Sequence, residues 1–194
     1  MDHLDDDQLI ALFRKEGSRH YAFNLIVRKH QRRLYGFIRR MVTDPDESQD
    51  VLQEVFIKAW NGLPKFREDA RLFSWLYRIA HNESITHLKR MRRGLFTSDA
   101  RVTERLSTTL DSTEHFNGDA IQRKLQRAVM NLPPKQRAVF TMKYFDELKY
   151  EEMSRITGTS VGALKSSFHI AVKKIEEELT RTDQTMGPIS GPTP

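Results

Sequence analysis

Three sets of side chains in this sequence have types and spacings suited to binding rather than to covalent chemistry. Asp50, Gln53, Glu54 and Ile57 recur at i, i+3, i+4 and i+7, so on a helix they form one stripe beside Val51, Val55 and Phe56. Ile57 is the informative member, an apolar residue set among polar ones. Asp46 and Glu47 are accounted for by the positive end of the helix dipole. Lys65, Phe66 and Arg67 stand in a polar loop, and Trp75, Arg78, Asn82 and Lys89 fall on a common side of the helix that follows. Aromatics beside cations suit unpaired bases, because stacking contributes about 1–3 kcal/mol per base while the cations hold the backbone. Trp on a small helical domain is more often core, which makes Phe66, in the loop, the stronger candidate for that contact. Gly162, Lys165, Ser166, His169 and Lys173 share one face of a third helix, opposite Val161, Leu164, Phe168, Ala171, Ile175 and Leu179. A core face backed by a phosphate- or base-facing face is what insertion into a DNA groove requires.

The same inventory offers nothing for catalysis. The chain has no Cys, so disulfides, thiolate metal sites, thiol nucleophiles and iron–sulfur clusters are excluded. None of its seven His belongs to an H-E-x-x-H motif, and His81 and His87 do not share a helical face. There is no phosphate-cradling Gly loop, no G-x-S-x-G and no clustered acidic triad. No catalytic residue, metal or cofactor is therefore expected.

Charge alone does not choose a partner. The 194 residues carry 32 Lys+Arg and 26 Asp+Glu, a net charge of +6. Residues 1–93 hold 18 basic and 13 acidic residues, 94–119 hold 2 and 5, and 120–180 hold 11 and 7, so two basic blocks flank an acidic connector. Such blocks suit nucleic acid, an anionic membrane or simply a solvated surface; charge alone favours the last, and spacing has to decide. The first residues are acidic where a signal peptide would be basic and then apolar, and no segment approaches the ~20 apolar residues of a membrane span. A cytoplasmic protein without membrane insertion is expected.

The elements that must position these side chains are helical throughout. A short helix is expected from Asp6 to Lys15 and a longer one from about Ser18 to Val42. Asp44 caps the next, with Pro45 at its first position and Glu47 completing a capping box, and it runs over 45–62. Another follows from about Phe73 to Arg92. Residues 94–119, rich in Ser, Thr, Asp and Gly, read as a flexible acidic linker. Helices are then expected at Ile121–Met130, Lys135–Tyr144 and Tyr150–Thr157, and from a Ser160 cap to about Leu179, the last two joined by Gly158-Thr159 as a helix-turn-helix. The tail 181–194 is expected to be disordered. The fold class is all-α: two small helical domains, 1–93 and 120–180, joined by a flexible linker.

Leu132-Pro133-Pro134-Lys135-Gln136-Arg137-Ala138-Val139-Phe140, Tyr144-Phe145, Tyr150-Glu151-Glu152-Met153 and Ser160-Val161-Gly162-Ala163-Leu164-Lys165-Ser166 together resemble the promoter-reading C-terminal domain of bacterial sigma factors. The likeness spans about fifty residues. Asp50-Val51-Leu52-Gln53-Glu54-Val55-Phe56-Ile57-Lys58-Ala59-Trp60 and Phe73-Ser74-Trp75-Leu76-Tyr77-Arg78-Ile79-Ala80-His81-Asn82 look like the N-terminal domain of the small, two-domain extracytoplasmic-function (ECF) branch. The resemblance implies a non-enzymatic subunit that binds core RNA polymerase, directs it to promoters and nucleates their opening. It implies that the Asp50, Gln53, Glu54, Ile57 stripe docks on the polymerase clamp, that Lys65, Phe66, Arg67, Trp75, Arg78, Asn82 and Lys89 capture single-stranded bases at the minus-ten element, and that Gly162, Lys165, Ser166, His169 and Lys173 read duplex DNA at the minus-thirty-five element. It further implies that the acidic linker threads toward the RNA path of the polymerase, and that an anti-sigma factor is a partner. The chain departs from the pattern at Ser167 and Ile170, where many members have Arg. Two other readings remain open at this level: a stand-alone helix-turn-helix repressor or activator, and a helical nuclease.

Overall fold

The computed structural model describes residues 4–67, 71–95 and 120–185. All regular structure among them is helical. The expected linker falls almost wholly outside these residues, as does the tail beyond Thr185.

Helix α1 (Asp6–Arg14) opens on a complete capping box. The Asp5 carboxylate accepts from the Gln8 amide at 2.8 Å, and the Gln8 side chain accepts from the Asp5 amide at 2.9 Å. Its Leu9, Ile10 and Phe13 face inward. Helix α2 (Arg19–Val42) buries Ala22, Ile26, Leu34, Phe37, Ile38 and Met41, the apolar stripe that its spacing foretells. Helix α3 (Pro45–Gly62) begins as expected, with Asp44 accepting from the amides of Asp46 and Glu47 at 2.9 and 3.0 Å. The return half of that capping box is absent. Glu47 instead reaches His87 at 3.2 Å, on helix α4 (Leu72–Leu95), trading a local cap for a tie between helices.

Helices α5 (Ala120–Met130) and α6 (Pro134–Phe140) follow, and α6 loosens into a π turn over Thr141–Phe145 where the sequence predicts straight helix. Helix α7 (Tyr150–Thr157) ends at Gly158, whose φ of 69° is the left-handed conformation that a glycine adopts without steric cost. Helix α8 (Val161–Thr185) starts from Ser160, whose hydroxyl accepts from the Ala163 amide at 3.3 Å. It runs past Leu179 and past the expected start of the disordered tail, to Thr185.

The two helical units do not keep separate cores. One hydrophobic cluster joins Leu72, Leu76, Tyr77 and Ala80 to Ala138, Met142, Leu148, Met153, Ile156 and Leu164. A smaller one holds Ala128, Val129, Leu132, Phe140, Ala171 and Ile175. Polar groups tie the same seam. The Tyr77 hydroxyl donates to Asp146 at 2.5 Å, the Arg40 guanidinium stands 3.6 Å from that carboxylate, and the Ser74 hydroxyl donates to Glu152 at 2.9 Å. The Asp146 side chain is only 7% exposed, and burial pushes its pKa up despite the Tyr77 hydroxyl and the guanidinium.

A half-buried acid, Asp6, has the opposite shift and a testable consequence. His30 at 3.2 Å and Lys29 at 2.7 Å flank Asp6, and the His30 hydrogen bond, ahead of Lys29 and against desolvation, holds its pKa at about 2. A depressed carboxylate stabilises the fold above its unfolded pKa, and that stability is lost as pH falls through the folded value. The stability gap between wild type and Asp6→Asn is therefore expected to narrow from about pH 4 down to about pH 2. Urea unfolding across that range checks it, and a constant gap would refute the assignment.

Candidate nucleic-acid and partner interface

On α3, Asp50, Gln53, Glu54 and Ile57 are all exposed, with Ile57 46% exposed. Gln53 and Ile57 edge a groove between α2 and α3 of about 700 Å³, lined also by Phe23, Phe56 and Trp60, while Asp50 and Glu54 stand outside it. Phe23 sits 5.1 Å from Trp60 and 6.2 Å from Phe56, both edge to face, so the wall is pre-packed. Phe56 is half-buried, packed against the main hydrophobic cluster on one side and lining the groove on the other.

The loop before α4 is where the structure departs most from expectation. Lys65 and Arg67 are exposed, but Phe66 is only 5% exposed. Leu63–Lys65 forms a single 3-10 turn after α3, and this turn swings the Phe66 ring inward onto Trp75, 5.1 Å away. The Phe66 carbonyl accepts from Arg14 at 3.0 Å, which fixes the turn to α1. Trp75 is half-buried and lies across Gly62, where an added Cβ would come within 2.8 Å of the indole. The expected exposed ring at Phe66 is thus corrected: polar neighbours in sequence did not make the ring a surface group, because the turn aims it at a hydrophobic pocket.

Arg78, Asn82 and Lys89 are exposed along α4. Arg78 donates to the carbonyl of Arg155 on α7, so it already has an internal partner. Asn82 hydrogen-bonds His81 at 3.2 Å, and burial pushes the His81 imidazole toward its neutral form.

In the helix-turn-helix, Gly162, Lys165, Ser166, His169 and Lys173 are all exposed, while Leu164, Ala171 and Ile175 are buried. The ammonium of Lys165 lies 5.8 Å from the Tyr150 ring, and that of Lys173 is 4.0 Å from Glu177. Both are weak surface contacts that leave the cations available to phosphates. Sequence reasoning missed Arg137, which ties the end of α5 and the turn after it to α2. Its guanidinium donates to the carbonyls of Met41 at 2.6 Å, of Leu132 at 3.5 Å and of Met130. The signal was present as an Arg directly before the apolar run Ala138-Val139-Phe140.

Residues 26–94 match the family profile of sigma-70 region 2, and residues 122–175 that of sigma-70 region 4. The RNA polymerase sigma-H factor of Pseudomonas aeruginosa is 33% identical over 190 residues, covering 90% of this chain and 93% of the relative. The chain belongs to the sigma-70 family, in its ECF branch. The ECF sigma-E factor of Escherichia coli is 29% identical, covering 92% of this sigma factor and 96% of its own length. Among solved structures, the sigma factor RpoE in complex with the anti-sigma factor NepR from Bartonella quintana has a TM-score of 0.65 at 21% identity, covering 81% of this chain and 96% of that one. CnrH in complex with the cytosolic domain of CnrY has a TM-score of 0.64 at 22% identity, with 91% and 97% covered. These establish the all-α fold. Sigma factors act in transcription initiation by binding core polymerase and promoter DNA, and as a class they are not catalytic enzymes.

Proposed function

We propose that this sigma factor works by binding alone, with its surfaces divided along the chain. The stripe Asp50, Gln53, Glu54 and Ile57, with the aromatic-walled groove beside it, takes the clamp of core polymerase. Lys65, Arg67, Arg78, Asn82 and Lys89, with the exposed part of Trp75, hold the minus-ten single strand, while Phe66 positions Trp75 from beneath. Gly162, Lys165, Ser166, His169 and Lys173 dock on the minus-thirty-five duplex. Residues 1–93 and 120–180 are the two functional units, and the acidic 94–119 joins them. The site of action is the cytoplasm; among the described residues no helix is long and apolar enough to cross a membrane. An anti-sigma factor is a further proposed partner, since two structural neighbours are complexes of that kind or with a cytosolic domain.

The observation that supports this most is the exposure of Ile57 beside an apolar groove on a chain of the sigma-70 family. A contiguous apolar patch rimmed by polar residues, here Ile57 with Phe23, Phe56 and Trp60, marks an interaction site. The double variant Gln53→Ala with Ile57→Ala is expected to weaken binding to core polymerase while its stability stays within about 0.5 kcal/mol of wild type, as for other surface positions. Pulldown with core polymerase, alongside thermal unfolding, checks this. Undiminished capture of polymerase by the double variant would move the docking face elsewhere.

A further inference from the structure

The exposed face of α8 carries more than cations. Ala163 is exposed between Gly162 and Ser166, and Ile170, one turn beyond Ser166, is 45% exposed. Ile170 belongs to neither hydrophobic cluster of the described residues. A β-branched side chain on a helix loses χ1 freedom, and with nearly half of its surface in solvent Ile170 recovers little of that through packing. Gly162 is equally unexplained from within: an added Cβ there would meet nothing within 4 Å. The first turns of α8 therefore present a short, nearly side-chain-free ridge that ends in one apolar knob. Lys165 and Lys173 stand along one side of that ridge.

We propose that Ile170 is a specificity residue that packs against the C5-methyl group of a thymine in the major groove. The proposal rests on the duplex-reading role given above to α8. The major groove is wide enough for a helix, and the thymine methyl is the one apolar group it displays. Gly162 and Ala163 let the helix backbone approach the groove floor, and the lysines along one side meet phosphates, which position without reading sequence. Lys165, His169 and Lys173 beside Ile170 favour a polyanion over the apolar surface of a protein, the Lys173 contact with Glu177 being long and exposed.

The test uses holoenzyme assembled from the full chain and core polymerase. A duplex library first yields the preferred minus-thirty-five site. Each thymine in it is then replaced singly by deoxyuridine, which removes only the methyl. Wild type is expected to lose about fourfold in affinity at one thymine, the effect of one apolar carbon leaving a buried contact. Ile170→Ala is expected to bind the methylated and demethylated duplexes equally, with an unchanged thermal melt because Ile170 touches no core. Wild-type affinity indifferent to every replacement, or an Ile170→Ala protein that keeps the sensitivity, would overturn the methyl contact while leaving α8 as the duplex reader. A holoenzyme with no preferred minus-thirty-five site would overturn both.

Discussion

Phe66→Ala is expected to destabilise the protein by about 3–5 kcal/mol, the range for removing a buried phenyl ring from a packed core. The ring closes the space between the α3 to α4 turn and Trp75, and its loss leaves the indole unsupported on one side. Little collapse can fill that space, since Arg14 pins the Phe66 carbonyl and the turn cannot shift freely. Urea unfolding of the full chain measures the effect. If Phe66 stood outside and stacked on a base, the same variant would unfold like wild type and lose single-strand affinity instead, so the two roles give opposite pairs of results.

Arg137→Met is expected to cost about 3 kcal/mol or more, since hydrogen bonds from a charged donor contribute about 1.5–3 kcal/mol each and buried carbonyls left without a partner are penalised further. The side chain gathers the carbonyl ends of α2 and α5 and the turn after α5 around one guanidinium. Burial pulls its pKa down to about 10, ahead of repulsion from Arg92, which still leaves it charged at neutral pH. Arg137→Lys should recover only part of the loss, because a single ammonium cannot present the planar fork to separated carbonyls. Equilibrium unfolding of both variants provides the comparison. Stability of Arg137→Met within about 0.5 kcal/mol of wild type would show that water replaces the guanidinium without loss.

Much of the fold was legible because period and capping are local properties. The stripe of α2, the Asp44-Pro45 start of α3 and the Gly158 turn before α8 each follow from residues a few positions apart, and each stands where spacing puts it. The exposed faces of α3 and α8 follow equally, since the face opposite a buried stripe is known once the stripe is. Phe66 was not legible, because a ring in a loop points where the turn's dihedrals send it, and hydrophilic neighbours do not fix those. The shared core was not legible either. Periodicity gives each helix an inward face, but it does not say that Tyr77, Met153 and Ile156 are buried in one cluster. The capping box of α1 was readable from Asp5 and Gln8 and was missed because the helix is short.

The seam between the two units also changes what an affinity means here. With Arg78 bonded to the Arg155 carbonyl and Ser74 bonded to Glu152, α7 behaves as a tethered competitor for one side of α4. A tethered group acts at an effective concentration on the order of millimolar, however dilute the protein. Any strand that uses Arg78 must first displace that occupant, so its apparent dissociation constant rises by the reciprocal of the fraction of molecules in which the seam is parted. Binding measured on residues 1–93 alone would then be tighter than binding to the whole chain, and the ratio between the two would read out the free energy of the seam itself.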